Sequence, residues 1–184
     1  MRDTGTGNGK VVVNRAMSLD GFTAGPGDAM DWIFDYMRGG VEEQFPEIMA
    51  ATGAMLIGRW TYEVGKRLAG EPGSEPAYDG GPEFVLTHEP PDPAVTFLTG
   101  DIGEAVATAR SAAGGKNLEI LGADVAGQCL RRGLVDEILV YVLPVLLGDG
   151  TRFFSSSGLA RIDLEPVSVT PSGTVTILRF RVRK

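Results

Sequence analysis

In two places in this 184-residue chain, a short apolar segment is followed at once by a glycine and then by a predicted helix. The first is residues 55–59 (MLIGR) and the second is residues 119–123 (EILGA). Such junctions are typical of parallel strands connected through helices, and sheets of this kind bind ligands beyond the carboxyl ends of their strands. The pattern therefore predicts an α/β protein with a ligand site at one edge of its sheet.

The remaining periodicity extends this interpretation along the chain. Strands are predicted over 11–17, 54–57, 84–87, 95–98 and 118–121, and helices over 41–51, from 61 onward, over 101–113 and over 124–132. After Gly133 the pattern changes to strands at 137–143, 163–170 and 174–182. These elements predict a mostly parallel sheet with an antiparallel end. We expect a flexible tail at 1–9, one domain over 10–184 and a loop at 70–82.

Arginines alternate with apolar residues in the last predicted strand, at Arg179, Arg181 and Arg183. An anion site is one interpretation of this stripe. A solvated outer face of the sheet is the favoured one.

Composition excludes several classes of function. The single Cys129 cannot form an intramolecular disulfide, and with one histidine, His88, the chain is too poor in ligands for a Cys/His zinc site. We expect no metal site. A net charge of −7 argues against nucleic-acid partners and anionic membranes. No apolar run reaches the ~20 residues of a membrane span and no signal peptide is evident, so we expect a cytoplasmic protein.

The two strand–glycine–helix junctions are candidate phosphate-binding turns. A glycine at the strand end lets a ligand approach the backbone, as at Gly58 and Gly122. Arg59 adds a permanent charge, and Thr61 stands near a helix N-terminus with unpaired N–H groups. Asp124 would repel a phosphate, so helix capping is its alternative role. An ordinary pair of strand–helix junctions remains the competing interpretation.

Two further features have a functional and a structural interpretation. Residues 16–24 form a strand that enters a glycine-flanked loop, which either closes over a ligand or is a simple turn. Trp32, Trp60 and Tyr62 either wall a flat heterocycle or belong to the core.

Three ordered motifs resemble the dihydrofolate reductase-like superfamily: residues 18–21 (SLDG), residues 56–63 (LIGRWTYE), and residues 133–150, from GLVDE to GDG. The nearest branch is the reductase domain of bacterial riboflavin biosynthesis, with its stand-alone relatives, and the resemblance covers residues 10–183. It implies a three-layer α/β/α fold with a C-terminal antiparallel strand pair. It also implies hydride transfer from NADPH to a small heterocyclic or ribosylamino-pyrimidine or pterin-like substrate, in a homodimer with an interface at 138–143 and the loop after it.

The resemblance also assigns roles to individual residues. Gly58, Arg59 and Thr61 would hold the pyrophosphate and 2′-phosphate side of NADPH, and Thr87 and His88 the adenosine end. A second phosphate turn would comprise Gly122, Ala123, Asp124 and Val125. Ala16 and Thr23 would flank the nicotinamide. Asp20, Trp32 and Tyr62 would face the substrate, and the candidate proton donor is Asp20 or a bound water.

Two departures from the family pattern favour a second hypothesis. Leu121 stands before Gly122, where many relatives carry two adjacent glycines, and neither Asp31 nor Asp35 matches the acid of the folate-reducing branch. The alternative function is a non-catalytic protein that binds a nucleotide or heterocycle and retains the reductase fold.

Overall fold

The computed structural model describes residues 9–37, 45–69, 80–88, 96–154 and 158–184. The predicted tail up to residue 8, the first part of the helix predicted at 41–51, residues 70–79 of the predicted loop and Val95 lie outside the described residues.

Eight of the ten described strands form one sheet, in the order β5-β4-β3-β6-β1-β7-β10-β9. The strands are β1 (Val11–Ser18), β2 (Phe22–Ala24), β3 (Thr52–Gly58), β4 (Glu83–Leu86), β5 (Thr96–Leu98), β6 (Asn117–Leu121), β7 (Glu137–Leu143), β8 (Thr151–Arg152), β9 (Leu164–Ser172) and β10 (Val175–Val182). Pairing is parallel from β5 to β7 and antiparallel between β7, β10 and β9. The predicted parallel sheet with an antiparallel C-terminal pair is confirmed.

Helices cover both faces of this sheet and give the three layers. They are α1 (Trp32–Met37), α2 (Phe45–Ala51), α3 (Arg59–Ala69), α4 (Ile102–Ala112) and α5 (Ala123–Arg131). Helices α4 and α5 pack on one face through side chains such as Ala105, Val106 and Ala126, while α1 and α2 pack on the other. No described helix is long and apolar enough to cross a membrane.

Strand β1 divides its side chains between the two cores. Val11 and Val13 belong to the cluster beneath α4 and α5, whereas Val12 belongs to the cluster beneath α1. The same alternation continues along β1 and decides which face of the sheet its later residues point to.

The predicted dimer interface is wrong for its strand portion. Strand β7 lies between β1 and β10, and its residues are buried apart from a half-buried Val142. A strand with neighbours on both edges and helices on both faces has no surface left for a second chain. The loop that follows it remains exposed at Leu146.

The solvated face predicted for the arginines of the last strand is also wrong at Arg179. Its Nε donates to Glu137 Oε2 at 2.8 Å, and the Glu137 side chain is 2% exposed. The β10–β9 register shifts between Arg179 and Phe180, an irregularity that simple alternation does not anticipate. Arg181 fits the prediction, because it is exposed and lies 3.8 Å from Glu165.

A small second sheet, β2 paired with β8, was not predicted because its strands are only three and two residues long. It brings the segment after β7 against the segment after β1. Gly150 permits this contact: its φ is +131°, and a Cβ there would overlap the carbonyl oxygen of Ala24. Only glycine fits such a position.

Candidate nucleotide site

A cavity of about 460 Å³ lies beyond the carboxyl ends of the parallel strands. It extends from the end of β4, past β3 and β6, to β1 and the small β2–β8 sheet. Its lining includes all the sequence-predicted cofactor residues except Ala16: Thr23, Gly58, Arg59, Thr61, Thr87, His88, Gly122, Ala123, Asp124 and Val125. The edge of the sheet expected to bind a ligand is therefore the edge that carries the cavity.

The two strand–glycine–helix junctions meet at this cavity. Ile57 pairs with Leu121, so the glycines that follow, Gly58 and Gly122, stand side by side. Gly122 has a φ of +106°, and a Cβ there would lie 3.0 Å from Thr61 Oγ1 and 3.4 Å from the Gly58 nitrogen. A side chain at this position would occupy the space between the N-termini of α3 and α5. The close approach is at Gly122 itself, so Leu121 does not obstruct it.

Polar side chains from three elements surround these junctions. Arg59 Nε donates to Glu63 Oε1 at 2.9 Å within α3, and both side chains are about half exposed. Asp124 does not cap α5; its Oδ2 accepts from Gln128 Nε2 at 2.7 Å. At the β4 end, Thr87 is buried while His88 is exposed.

Arg15 is a lining residue that the sequence analysis missed. Val13 pairs with Ile120, so Arg15, two residues further along β1, is about level with Gly122. Strand alternation turns its side chain toward the α5 face and into the cavity. Burial lowers the pKa of the guanidinium to about 10. The available signal was an arginine within a predicted strand that begins with three valines, VVVNRAMS.

The cavity also takes residues from the segments around β2 and β8 that carry no recognisable motif. They are Ala24, Asp28, Met30 and Thr151, with Trp60, Leu86, Gly100 and Gln128 from elsewhere in the fold. Of the three aromatics considered as a heterocycle wall, Trp60 lines the cavity.

Asp20 is a loop anchor in this structure, which corrects its interpretation as a proton donor. Its carboxylate accepts from Ser18 Oγ at 2.6 Å, from Leu147 N at 3.1 Å and from Gly148 N at 2.8 Å. These donors, the Ser18 hydroxyl first, hold the pKa of Asp20 at about 2. An acid that is ionised at neutral pH has no proton to give.

Ala16, Trp32 and Tyr62 do not line the cavity among the described residues. Ala16 follows Arg15, so alternation turns it to the opposite face, where it packs with Trp32 against the cluster beneath α1. Trp32 Nε1 donates to the Ala29 carbonyl at 3.2 Å. Tyr62 lies beside Lys66, whose Nζ is 5.9 Å from the centre of its ring.

A second buried polar group lies beneath the sheet and away from the cavity. Glu119 on β6 is 4% exposed, and its Oε1 accepts from Thr52 Oγ1 at 3.4 Å. Desolvation raises the pKa of Glu119 to about 7, although Asn14, Thr52 and Arg179 oppose the shift. Burial likewise raises the pKa of the Cys129 thiol to about 12, so it is not a nucleophile at neutral pH.

Comparison with known proteins identifies relatives of the whole described fold. The chain is 30% identical over 152 residues to the uncharacterized protein YwjB of Bacillus subtilis, covering 79% of this chain and 82% of that protein. A protein of Shewanella sp. PV-4, assigned provisionally to riboflavin biosynthesis, superposes with a TM-score of 0.80 at 22% identity, covering 95% and 99% of the two chains.

Dihydrofolate reductase from Enterococcus faecalis, solved with NADP(H), superposes with a TM-score of 0.59 at 14% identity, covering 96% of this chain and 98% of that one. The likenesses below 25% identity show that the fold is dihydrofolate reductase-like. The model of the RibD C-terminal domain matches residues 9–178. Matched over nearly its whole length, the chain belongs to the RibD C-terminal domain family.

Proposed function

We propose that the protein is an NADPH-dependent reductase that transfers a hydride to a small heterocyclic or ribosylamino-pyrimidine or pterin-like substrate. The observation that carries this proposal is the meeting of two strand–glycine–helix junctions at one cavity. Helix N-termini bind phosphate through unpaired backbone N–H groups, and two adjacent N-termini suit a pyrophosphate. Membership of the RibD C-terminal domain family supports a reductase.

The cavity residues fit a dinucleotide in one orientation. Gly58, Thr61 and the Gly122 turn would hold the pyrophosphate, and the space a Cβ at Gly122 would fill is available to the phosphate oxygens. Arg59 would face the 2′-phosphate. Thr87 and His88 would contact the adenosine end, since they lie at the β4 end of the cavity.

The opposite end of the cavity would hold the nicotinamide and the substrate. Thr23 and Thr151 line this end, and Thr23 Oγ1 donates to the Thr151 carbonyl at 3.3 Å. When bound, NADPH supplies the hydride; the chain binds and orients the two reactants. Asp20 stays an ionised loop anchor, and we assign no proton donor.

A non-catalytic binding protein is the second candidate, and the geometry of Asp20 favours it. The acid that the resemblance suggested as proton donor is held as a carboxylate by three hydrogen bonds. NADPH binding without any oxidation of NADPH by pyrimidine or pterin acceptors would favour this candidate over the reductase.

Tryptophan fluorescence tests the proposed cofactor. The chain has two tryptophans, and Trp60 lines the cavity while Trp32 packs on the other face of the sheet. NADPH is expected to quench the native chain and the Trp32→Phe variant, but to leave Trp60→Phe largely unaffected. Unchanged fluorescence of the native chain at millimolar NADPH would contradict the proposal.

A homodimer and a cytoplasmic location complete the proposal. The exposed Leu146, in the loop after β7, is a candidate contact for a second copy because a large apolar side chain there is 69% exposed. Light scattering that gives a 19.5 kDa species would contradict the dimer.

A further inference from the structure

Arg15 carries a half-buried positive charge that forms no ion pair within the described part of the chain. Its Nη1 is inaccessible to solvent and has no acceptor within hydrogen-bond distance among the described residues. The guanidinium also lines the large cavity, at the end that β1 and the β2–β8 sheet enclose. Native proteins pair nearly all buried polar atoms, so an unpaired Nη1 on a guanidinium that faces a cavity requires an explanation.

The carboxylates that share the cavity with Arg15 are bonded to neutral partners. Asp28 Oδ1 accepts from the Thr151 hydroxyl at 3.0 Å, and Asp124 Oδ2 accepts from Gln128 Nε2 at 2.7 Å. Neither acid forms an ion pair with Arg15 within the described residues. Both carboxylates therefore accept hydrogen bonds from neutral groups, while Nη1 of Arg15 has no acceptor among the described residues.

Such an arrangement is costly unless a ligand completes it. Removing a guanidinium from water without an opposing charge destabilises the folded chain, and packing alone does not require arginine, since methionine or leucine fills a similar volume. A planar guanidinium is well suited to hold a phosphate or carboxylate through two parallel hydrogen bonds. Arg15 stands about level with Gly122, so an oxyanion bound there also approaches the α5 N-terminus.

We propose that Arg15 binds an oxyanion of the ligand at the β1 end of the cavity and so determines which ligands the site accepts. This inference rests on the proposed function for the identity of the cavity but not for the chemistry of Arg15. The oxyanion has two possible sources: a phosphate in the nicotinamide half of NADPH, or an anionic group on the substrate. The β4 end, with Thr87 and His88, is a separate contact region that Arg15 does not serve.

The test compares native chain, Arg15→Met, Arg15→Lys and the control Arg131→Met, which removes an exposed arginine from the last turn of α5. Calorimetric titration uses four probes: NADPH, reduced nicotinamide mononucleotide, 2′,5′-ADP and orthophosphate. The melting temperature of each ligand-free variant is measured in parallel.

We expect Arg15→Met to bind NADPH about 10- to 100-fold more weakly, the loss associated with one charge-assisted hydrogen-bonded contact. Arg15→Lys is expected to recover part of this affinity, and Arg131→Met to match the native chain. The ligand-free Arg15→Met is expected to melt at the native temperature or above it. A purely structural arginine would give the opposite result in this last measurement.

The probes separate the two sources of the oxyanion. Weaker binding of the mononucleotide with unchanged 2′,5′-ADP assigns Arg15 to the nicotinamide half of the cofactor. Weaker binding of orthophosphate, with both halves of NADPH unchanged, assigns it to the substrate. Equal binding of all four probes to native chain and Arg15→Met overturns the proposal.

Failure of the proposed function gives a different pattern. If the native chain does not bind NADPH but binds orthophosphate through Arg15, the proposed reductase is contradicted and the oxyanion site is supported. If native chain and Arg15→Met bind NADPH equally and the other probes are also unchanged, the role of Arg15 is contradicted, while the nucleotide site is supported.

Discussion

Two cations five residues apart, Lys10 before β1 and Arg15 within it, have contrasting environments. Lys10, immediately before the strand, has its Nζ 2.7 Å from Glu137 Oε1, and Arg179 occupies the other oxygen of that carboxylate. Arg15, in the middle of the strand, lines the cavity and has a buried Nη1 with no acceptor in the described residues. The charge of Lys10 is therefore paired, whereas Nη1 of Arg15 is not paired within the described residues.

The difference separates residues that stabilise the fold from residues kept for a ligand. At the Lys10 end, the carboxylate of Asp136 also accepts from the Val11 backbone at 2.8 Å and from Lys184 at 2.7 Å. Paired charges around the buried Glu137 carboxylate hold neighbouring strands together. At Arg15, no described residue pairs with Nη1, and we expect the ligand to provide that partner.

The largest expected effect comes from removing the Glu137 carboxylate, which accepts from Lys10 and Arg179. Glu137→Gln removes the carboxylate that Lys10 and Arg179 share, and the side chains of these two residues are only 19% and 20% exposed. We expect a loss of about 4 kcal/mol in the free energy of unfolding, measured by urea denaturation. The exposed Glu165→Gln is the control, with a change below about 0.5 kcal/mol. A loss below about 1 kcal/mol in Glu137→Gln would show that this network does not stabilise the fold.

The second prediction concerns Glu119, which pairs with Val12 of β1 and whose Oε2 has no hydrogen-bond partner among the described residues. Its pKa is about 7 in the folded chain, above the ordinary value of about 4.3 for an unfolded glutamate. Stability from this group is therefore complete below about pH 4 and is lost as pH rises to 7 and beyond. We expect Glu119→Gln to gain about 3 kcal/mol on the native chain between pH 4 and pH 8. Equal pH dependence of native chain and variant, in urea denaturation at both pH values, would refute this.

The third prediction concerns Gly122, in the turn that lines the cavity. Gly122→Ala forces a Cβ to 3.0 Å from Thr61 Oγ1 at a φ of +106°, so we expect a loss of about 2 kcal/mol in stability and weaker NADPH binding. Gly114→Ala is the matched control, since its φ is +61° and a Cβ there meets nothing within 4 Å. If both variants bound NADPH like the native chain, Gly122 would not belong to a phosphate turn.

The smallest expected effect has the opposite sign. Arg15→Met removes a half-buried charge that forms no ion pair with the described residues, and we expect the ligand-free chain to gain about 1 kcal/mol in the free energy of unfolding. Glu137→Gln is expected to have the opposite effect, because it removes the carboxylate that Lys10 and Arg179 both contact, on the strand that pairs with β1. A clear loss of stability in Arg15→Met would show that Arg15, like Glu137, stabilises the ligand-free fold.

Much of the fold and most of the cavity lining followed from the sequence, since strand–glycine–helix junctions are local patterns. The predicted strand at 137–143 coincides with β7 (Glu137–Leu143). The errors involve contacts between distant residues. Arg179 meets Glu137 across 42 positions, and Thr151 reaches the cavity only because β8 pairs with β2. Arg15 was missed and Ala16 misplaced because the two faces of β1 could not be assigned before its neighbours were known.

Calorimetric titration of the native chain with NADPH tests the central claim, that the cavity between the two glycine junctions is a nucleotide site. We expect saturable binding with a dissociation constant below about 1 mM, in the range common for enzyme ligands, weakened in Gly122→Ala but not in Gly114→Ala. Absence of saturable binding at millimolar NADPH, or equal binding by all three chains, would contradict the account.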